Sequence, residues 1–486
     1  MVWLLDFDAE GLGMSRAQLH RHMTRVVWVL MTLVCAAFAL TAAEFYWVTV
    51  TEQTPSYASI LAWAVSDEFA FGPESGFAQM TPYWRTMPAL NQCVLGIHAL
   101  LASIALVIGA IQFHPKTRSD WPRWHRIAGR VYAGTTLAAM GLAMVYLSLT
   151  PTEHIYGGAP FAVGLWGIAL LTTYTLVASW VHIVRGEIVA HQTTMVLNFA
   201  AMLIAPLLRF WWLCLGWLFQ DESWSQATAH VAVLMFLGVQ VVVGAIVVLH
   251  LRRRLLVGEV SDAILGIRRW TQDRSDGWER VLWVAFAVTA VVVTQGVGAH
   301  GLDSHGFFFV LQGFGLCLLS YWMPLWVRRT FEGHKPISLA FDGIFIGAVS
   351  CIALGWFGQA HGYGMNGVRG VGSSAFVLTL AVAILSLGVV WVHGVLCQDA
   401  RVMREMVLHI YALSVVPVTH FVVMRGFVLL DWTMEDAFLS AAVLLPPLHL
   451  SCSFYYTVYS RRAQAENNGA MLSHSGGRQL QILASS

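Results

Sequence analysis

The sequence predicts an all-α integral membrane protein with about twelve transmembrane helices in two parallel six-helix repeats. Hydrophobic residues make up 57% of the 486 residues and charged residues only 11%, less than half the charged share of an ordinary soluble chain. Apolar runs of roughly 20 residues, the length that crosses the hydrocarbon core of a bilayer, recur from one end of the chain to the other. Basic residues are concentrated in alternate loops between these runs, which is typical of multi-pass proteins.

Each apolar run predicts one membrane-spanning helix because about 20 residues of helix cover the hydrocarbon thickness. The shortest run is almost purely apolar, so it is included with the rest. The twelve predicted spans are 26–48, 89–113, 127–149, 159–184, 192–219, 227–251, 281–299, 306–327, 337–358, 374–397, 405–430 and 437–460.

The distribution of positive charge predicts the orientation of the chain in the membrane. All but four of the 28 Lys and Arg residues fall in alternate loops, and basic loops face the cytoplasm. An even number of helices then places both termini in the cytoplasm. The long loop 49–88 is acidic and aromatic and is predicted to face outward. The expected location is the inner (plasma) membrane, with the lipid bilayer as the surrounding partner.

The chain also repeats itself along its length. At an offset of 211 residues, Trp180-Val181-His182 matches Trp391-Val392-His393, and Pro206 matches Pro417. Six helices are an even number, so both halves insert in the same direction and form parallel repeats. The predicted organisation is a cytoplasmic N-terminal segment, a first repeat, a basic cytoplasmic linker, a second repeat and a disordered cytoplasmic tail. Their bounds are 1–25, 26–251, 252–280, 281–460 and 461–486.

Composition and motifs argue against several other classes of function. The net charge of +1 offers no basic field for nucleic acid, which is therefore not an expected partner. The seven cysteines all lie in apolar stretches and none are spaced as CxxC, which argues against a disulfide framework or a zinc site. No Walker loop, GxSxG or HExxH motif is present, and no metal site is predicted.

Histidine is the informative residue type, because several of the 19 histidines lie in or at the ends of apolar runs. Ionisable side chains at membrane depth are costly and usually face the interior of a helix bundle. Neutral imidazole is also an axial ligand of haem iron, so the pattern favours a b-type haem held by two histidines and exchanging electrons with a quinone. The alternative is that these histidines bond across helices or cap helix ends. The candidate cofactor-binding residues are His98, His125, His182, His191, Arg130, Arg209, His393 and His420.

Two basic side chains follow prolines inside predicted spans. Arg209 lies three residues after Pro206, and His420 lies three residues after Pro417. A proline inside a helix frees the carbonyl four residues before it, so both helices are predicted to be kinked. Glu44 on the first helix is a candidate partner of Arg209. The basic groups then form either a site for an anionic headgroup, a haem propionate or a quinone, or a structural ion pair.

One part of the first half resembles a known family of bacterial membrane proteins, domain of unknown function 2306. The resemblance covers roughly residues 90–212 and rests on a series of motifs in a fixed order. These are His98, Gln112-Phe113, His125-Arg126-x-x-Gly129-Arg130-Val131-Tyr132, Arg185-Gly186, His191 with Met195, and Arg209. The family continues with basic residues after the counterpart of His191, whereas this chain has Gln192-Thr193. The resemblance implies a fold and no mechanism. The second half looks like a diverged copy that keeps His334 and His393.

Three functional hypotheses follow from the sequence. The first is a haem-binding redox protein of the inner membrane that acts with quinone. The second is a transporter built on two parallel repeats. The third is a membrane scaffold or assembly factor without chemistry of its own. Neither the substrate nor the oligomeric state follows from the residues, and whether the chain is an enzyme stays open.

Overall fold

The computed structural model describes residues 16–51, 53–114, 117, 120–218, 225–256, 368–396 and 400–457, and all regular structure among them is helical. The predicted spans 281–299, 306–327 and 337–358 lie outside the described residues, as do most of the linker and the terminal tails. An all-helical fold is confirmed for the described part of the chain. The prediction of twelve helices in two repeats is not confirmed.

The helices are numbered here in chain order. They are α1 (Arg16–Val50), α2 (Ser56–Ala64), α3 (Asp67–Phe71), α4 (Gly76–Thr86), α5 (Ala89–Gln112), α6 (Pro122–Leu149), α7 (Gly158–Val184), α8 (Ile188–Met202), α9 (Ile204–Leu218), α10 (Gln226–Leu256), α11 (Val368–Leu396), α12 (Ala400–Ser414), α13 (Val416–Leu429) and α14 (Met434–Thr457). A 3₁₀ turn covers Thr152–His154.

Six of the described helices are long and apolar enough to cross a membrane, and the count is seven if one bent pair forms a single span. The six are α1, α5, α6, α7, α10 and α14, and the bent pair is α8 with α9. Each lies within a few residues of a predicted span, because an uninterrupted apolar run determines where such a helix begins and ends.

The predicted span 192–219 consists of two helices, which meet at Leu203 and are bent by 46°. Pro206 explains the position of the break. Its missing N–H leaves the carbonyl of Met202 without the usual helical partner, and its ring crowds that same turn. The predicted span 405–430 is interrupted in the same way at Val415, two residues before Pro417. The kink predicted at Pro206 is therefore confirmed, and near Pro417 the helix is interrupted at Val415.

The described chain divides into two compact units. The first contains α1 to α6, the middle of α7, and α9; the second contains the ends of α7, most of α8, and α10 to α14. In the first unit α5 packs against α1 and α6. Trp28 Nε1 on α1 donates a hydrogen bond to the carbonyl of Ala110 on α5 at 2.9 Å. Such bonds satisfy a buried indole where no water is available.

The segment 53–88, predicted as an outer loop, folds into α2, α3 and α4 in the first unit. Ser66 and Ser75 cap α3 and α4 by accepting hydrogen bonds from backbone N–H groups, as serine does at helix starts. The segment lies directly on α9. A Cβ atom placed on Gly216 would come within 2.9 Å of Val65 Cγ1 and 3.0 Å of Phe69 Cζ. Glycine suits this position because the Val65 and Phe69 side chains occupy the space that a Cβ atom would take.

In the second unit, buried apolar side chains of α11 to α14 form a core that includes Phe376, Leu387, Met406 and Phe438. Some of the polar side chains inside this core bond to one another or to the backbone. His409 Nδ1 lies 2.8 Å from Ser453 Oγ. Burial of apolar surface and the pairing of buried polar atoms together stabilise this unit.

Candidate functional site

His98 lies on α5 and is half-buried, with its ring turned toward α6. Its Nδ1 atom is 2.8 Å from the carbonyl oxygen of Ala139. A carbonyl can only accept a hydrogen bond, so Nδ1 carries the hydrogen and Nε2 carries the lone pair. The contact is therefore consistent with a neutral imidazole that is held in one orientation and offers Nε2 as a base or as a ligand.

His125 and Arg130 lie near the start of α6, where Pro122 occupies the first turn. His125 is half-buried and Arg130 is exposed. Ala139, which holds His98, lies 14 residues after His125 on the same helix, a separation of about 21 Å at 1.5 Å per residue. The first unit therefore places His98 and His125 at different levels and does not bring them together.

The structure does bring His182 and His191 together, in the second unit, at the turn between α7 and α8. His182 is buried, and its Nδ1 donates to the carboxylate of Glu187 at 2.6 Å. Ser179 lies one turn before His182 on the same face of α7, since residues three apart are neighbours on a helix. Nδ1 of His191 lies 3.0 Å from the carbonyl and 2.8 Å from the hydroxyl oxygen of Ser179.

The end of α7 explains why Glu187 meets His182. Gly186 has a left-handed φ of +75° and donates from its backbone N–H to the carbonyl of Ile183 at 3.1 Å. The N–H of Glu187 donates to the carbonyl of His182 at 2.8 Å. These two bonds and the left-handed residue form a Schellman motif, which reverses the chain at helix ends. The reversal directs the Glu187 side chain back over His182.

His420 lies on α13 in the second unit and is buried between aromatic rings. Its Nε2 donates to the carbonyl of Phe438 at 3.0 Å, and its ring lies 4.6 Å from the Phe438 ring and 5.6 Å from the Phe376 ring. His393 is on α11, and its side chain lies outside the described residues. The contacts of His420 join α13 to α14 and satisfy its polar nitrogen inside an apolar core.

Arg209 lies on α9 in the first unit, and its guanidinium stands over two aromatic rings. The guanidinium carbon is 5.5 Å from the ring centroid of Phe38 and 5.5 Å from that of Trp212. Tyr57 donates its hydroxyl hydrogen to the backbone carbonyl of Arg209 at 3.0 Å. Burial raises the pKa of Tyr57 above its ordinary value, with the Arg209 charge opposing the shift, so the phenol remains a donor. Arg209 and the three aromatic residues around it, Phe38, Tyr57 and Trp212, are called the Arg209 cluster below.

Glu44 does not pair with Arg209. Its carboxylate accepts hydrogen bonds from the hydroxyl of Ser56 at 2.6 Å and from the backbone N–H of Ser56 at 3.3 Å. A carboxylate at the first turn of α2 also suits the positive end of that helix, which explains its preference for Ser56.

Several residues of these sites were not predicted from the sequence. Glu187 could have been found from the sequence, because it directly follows Gly186, the glycine of the turn after α7. Trp212 could also have been found, since it lies three residues after Arg209 on the same helix face. Phe38 and Tyr57 are distant in sequence from Arg209, so no local pattern links them to it. No group of three or more His, Cys, Asp or Glu side chains suited to a metal ion occurs among the residues described here.

Comparison with known proteins gives one match. No curated protein and no solved structure matches the chain. The model of the family described as a predicted membrane protein, domain of unknown function 2306, matches residues 95–248. The matched region includes the Schellman turn, both histidines at that turn and Arg209. The chain is thus a multi-pass helical membrane protein, and the resemblance to domain of unknown function 2306 is confirmed over residues 95–248.

Proposed function

We propose that the chain is an inner-membrane transport protein built from two parallel repeats, with both termini in the cytoplasm. The observation that carries the proposal is that apolar helices are interrupted at matching places. The break at Leu203 between α8 and α9 and the break at Val415 between α12 and α13 lie 212 residues apart. Transporters built from repeats form their substrate sites from helices that are interrupted at corresponding positions of the two halves.

The sequence repeat supports the same correspondence. Trp180-Val181-His182 on α7 matches Trp391-Val392-His393 on α11 at an offset of 211 residues, and Pro206 on α9 matches Pro417 on α13 at the same offset. An interruption removes backbone hydrogen bonds at a cost of about 3 kcal/mol or more for each proline. Two such interruptions at matching positions favour a transporter over an inert scaffold, which has no use for them.

A cysteine-accessibility experiment tests transport without knowledge of the substrate. Ala205→Cys, one turn before Arg209, would be placed in a chain whose native cysteines are replaced by serine. Right-side-out and inverted membrane vesicles are then treated with a membrane-impermeant maleimide. A transporter alternates its access, so this position should react in both kinds of vesicle. Reaction in only one kind, under every solute and pH condition tried, would contradict the proposal.

The matched control is Cys93 as the sole cysteine, since it is exposed near the beginning of α5. It should react in one kind of vesicle only. Two-sided reaction at both positions would indicate leaky vesicles, and the experiment is repeated until the Cys93 control is one-sided. The maleimide-labelling rate of Ala205→Cys is then compared with that of Cys93 in each kind of vesicle.

A haem-binding redox protein acting with quinone is the second candidate, and histidine hydrogen bonding favours it. His98, His182 and His191 each direct Nδ1 to an oxygen. Such bonds orient an imidazole and leave Nε2 for iron. The donor chemistry for haem b is therefore present in each unit by itself: at His182 and His191 in the second unit, and at His98 in the first, where Arg130 and Arg209 are candidates to hold propionates. When bound, the haem would supply one-electron chemistry, while the histidines would hold it in place.

The absorption spectrum of the purified protein tests this second candidate. Protein produced with added haem precursor should show a Soret band, and its visible bands should sharpen on reduction. His98→Ala or His191→Ala should bleach the pigment by at least fivefold per molecule. His154→Ala, in the 3₁₀ turn where the ring stacks on Tyr83, should leave it unchanged. Colourless wild-type protein, recovered folded, would overturn the haem hypothesis.

A further inference from the structure

Arg209 is a half-buried cation on an apolar helix of the first unit. An ionisable side chain in such a helix is costly and usually has a partner that offsets its charge. The backbone carbonyl of Ala205, one turn before it, lies 3.5 Å from Nη1, which is at the limit of a hydrogen bond. A guanidinium has five N–H donors, so this contact uses little of its capacity.

Phe38 and Trp212 pack against the guanidinium of Arg209 without neutralising its charge. Phe38 and Trp212 both present a ring face at 5.5 Å, which attracts a cation through the ring quadrupole. Rings in this position also hold the planar group in one orientation. The hydroxyl of Tyr57 donates to the backbone carbonyl of Arg209, and among the described residues no hydrogen bond joins this hydroxyl to the Arg209 side chain.

The carboxylate that the sequence offers to Arg209 is used elsewhere. Glu44 is held by the hydroxyl and N–H of Ser56, and no described carboxylate lies within 4.0 Å of the guanidinium. Ala205 and Phe210, on either side of Arg209 along α9, are exposed. The cluster is thus closed by aromatic rings on one side and open on another.

We infer that Arg209 binds an anionic oxygen group, a carboxylate or a phosphate, that enters from outside the chain. A planar guanidinium fork matches both groups with two parallel hydrogen bonds, and the rings beneath it would screen the pair from water. The ligand is either the phosphate of a lipid headgroup or a free anion. This site is a property of the first unit and does not depend on whether the chain transports a solute.

Thermal unfolding of the full chain in a neutral detergent tests the inference. Three probes are titrated separately: sodium benzoate, inorganic phosphate, and phosphatidylglycerol in mixed micelles, with phosphatidylcholine as the neutral lipid. At least one anionic probe should raise the unfolding temperature of the wild-type protein saturably. Arg209→Gln should weaken the apparent affinity for that probe by tenfold or more. Arg425→Gln is the matched control, an exposed arginine on α13, and should stay within twofold of the wild type.

The probes distinguish the two sources of the anion. A response to benzoate or phosphate in lipid-free micelles indicates a free anion, and a response to phosphatidylglycerol alone indicates a headgroup. If Arg209→Gln is not recovered folded, Arg209→Lys replaces it, because the loss of the planar fork should still weaken binding at least threefold relative to Arg425→Lys. The inference fails if no probe binds saturably, or if the Arg209 variants bind as tightly as the wild type. Failure of the vesicle-labelling test would leave this result unaffected.

Discussion

His182 donates a hydrogen bond from Nδ1 to the carboxylate of Glu187 at 2.6 Å, and the turn that ends α7 holds the two residues together. The contact is the shortest polar link at the α7–α8 turn, and it involves a buried imidazole. It also lies beside His191, whose ring is anchored to Ser179 from the same face of α7. The turn therefore holds two histidines in defined orientations.

Replacing Glu187 with Gln should destabilise the protein by about 1–3 kcal/mol, because a hydrogen bond to a charged group is lost at a buried partner. Glu187→Ala should cost more than Glu187→Gln, since it leaves the imidazole without an acceptor at this position. The measurement is denaturant unfolding in mixed micelles. Glu153→Gln, at an exposed site, is the control. Equal stability of Glu187→Gln and the wild type would show that the carboxylate charge contributes nothing to the contact.

Gly186→Ala should destabilise the protein by about 1–2 kcal/mol because a left-handed φ is unfavourable for a residue with a Cβ atom. No atom lies within 4 Å of the added methyl group, so the cost comes from the backbone alone. Gly141→Ala is a matched control, since Gly141 lies inside α6 and also has open space around it. It should be neutral or stabilising by about 0.5–1 kcal/mol. If Gly186→Ala and Gly141→Ala changed the unfolding temperature by the same amount, the left-handed backbone at Gly186 would not be the cause of the destabilisation.

Gly216→Ala should loosen the segment 53–88 from α9, since the new methyl group would lie about 3 Å from Val65 and Phe69 and overpacking typically costs about 1–3 kcal/mol. Limited proteolysis within that segment should become several-fold faster. Gly134→Ala, with open space around its Cβ position, should leave the rate unchanged. Unchanged cleavage of Gly216→Ala would mean that the segment does not depend on this contact.

Tyr57→Phe should cost about 1 kcal/mol at pH 8, because the carbonyl of Arg209 loses its hydrogen-bond donor. Tyr83→Phe, which keeps the stacking on His154, is the control. Burial raises the pKa of Tyr57, so its neutral form contributes stability that is fully present below the unfolded pKa near 10 and is lost as the pH rises above it. The stability of the wild type should therefore fall more steeply above pH 10 than that of Tyr57→Phe. Equal slopes would contradict the burial of the phenol.

A topology experiment checks the predicted orientation. A reporter fused after Ser486 should be active only in the cytoplasm, because basic loops face that side. A single cysteine introduced at Ser56, in the segment 53–88, should react with an impermeant maleimide added to intact cells. Labelling that requires lysed cells would place this segment inside and would overturn the predicted orientation.

Sequence reasoning succeeded where the cause is local. Pro206 and Pro417 lie next to helix breaks because each proline lacks its own N–H, and the apolar runs end close to the helix ends. His182 and His191, both candidate residues from the sequence, lie close together because a short turn joins their helices. The segment 53–88 was predicted as a loop, since α2, α3 and α4 are too short to give a clear helical period of hydrophobic residues in the sequence. The prediction that Glu44 pairs with Arg209 was wrong. A carboxylate on a helix face can meet many hydrogen-bond donors, and the donors that it meets here belong to Ser56.

The hydrogen bond from His98 to the carbonyl of Ala139 has an acceptor that belongs to the main chain. Every amino acid supplies that oxygen, so this bond does not set the identity of residue 139. The Ala139 side chain is itself fully buried, so the space around its Cβ atom, and not the hydrogen bond, limits the position to a small residue. A search for co-varying pairs would therefore not detect the bond, and Ala139→Gly should keep the contact that His98→Ala removes.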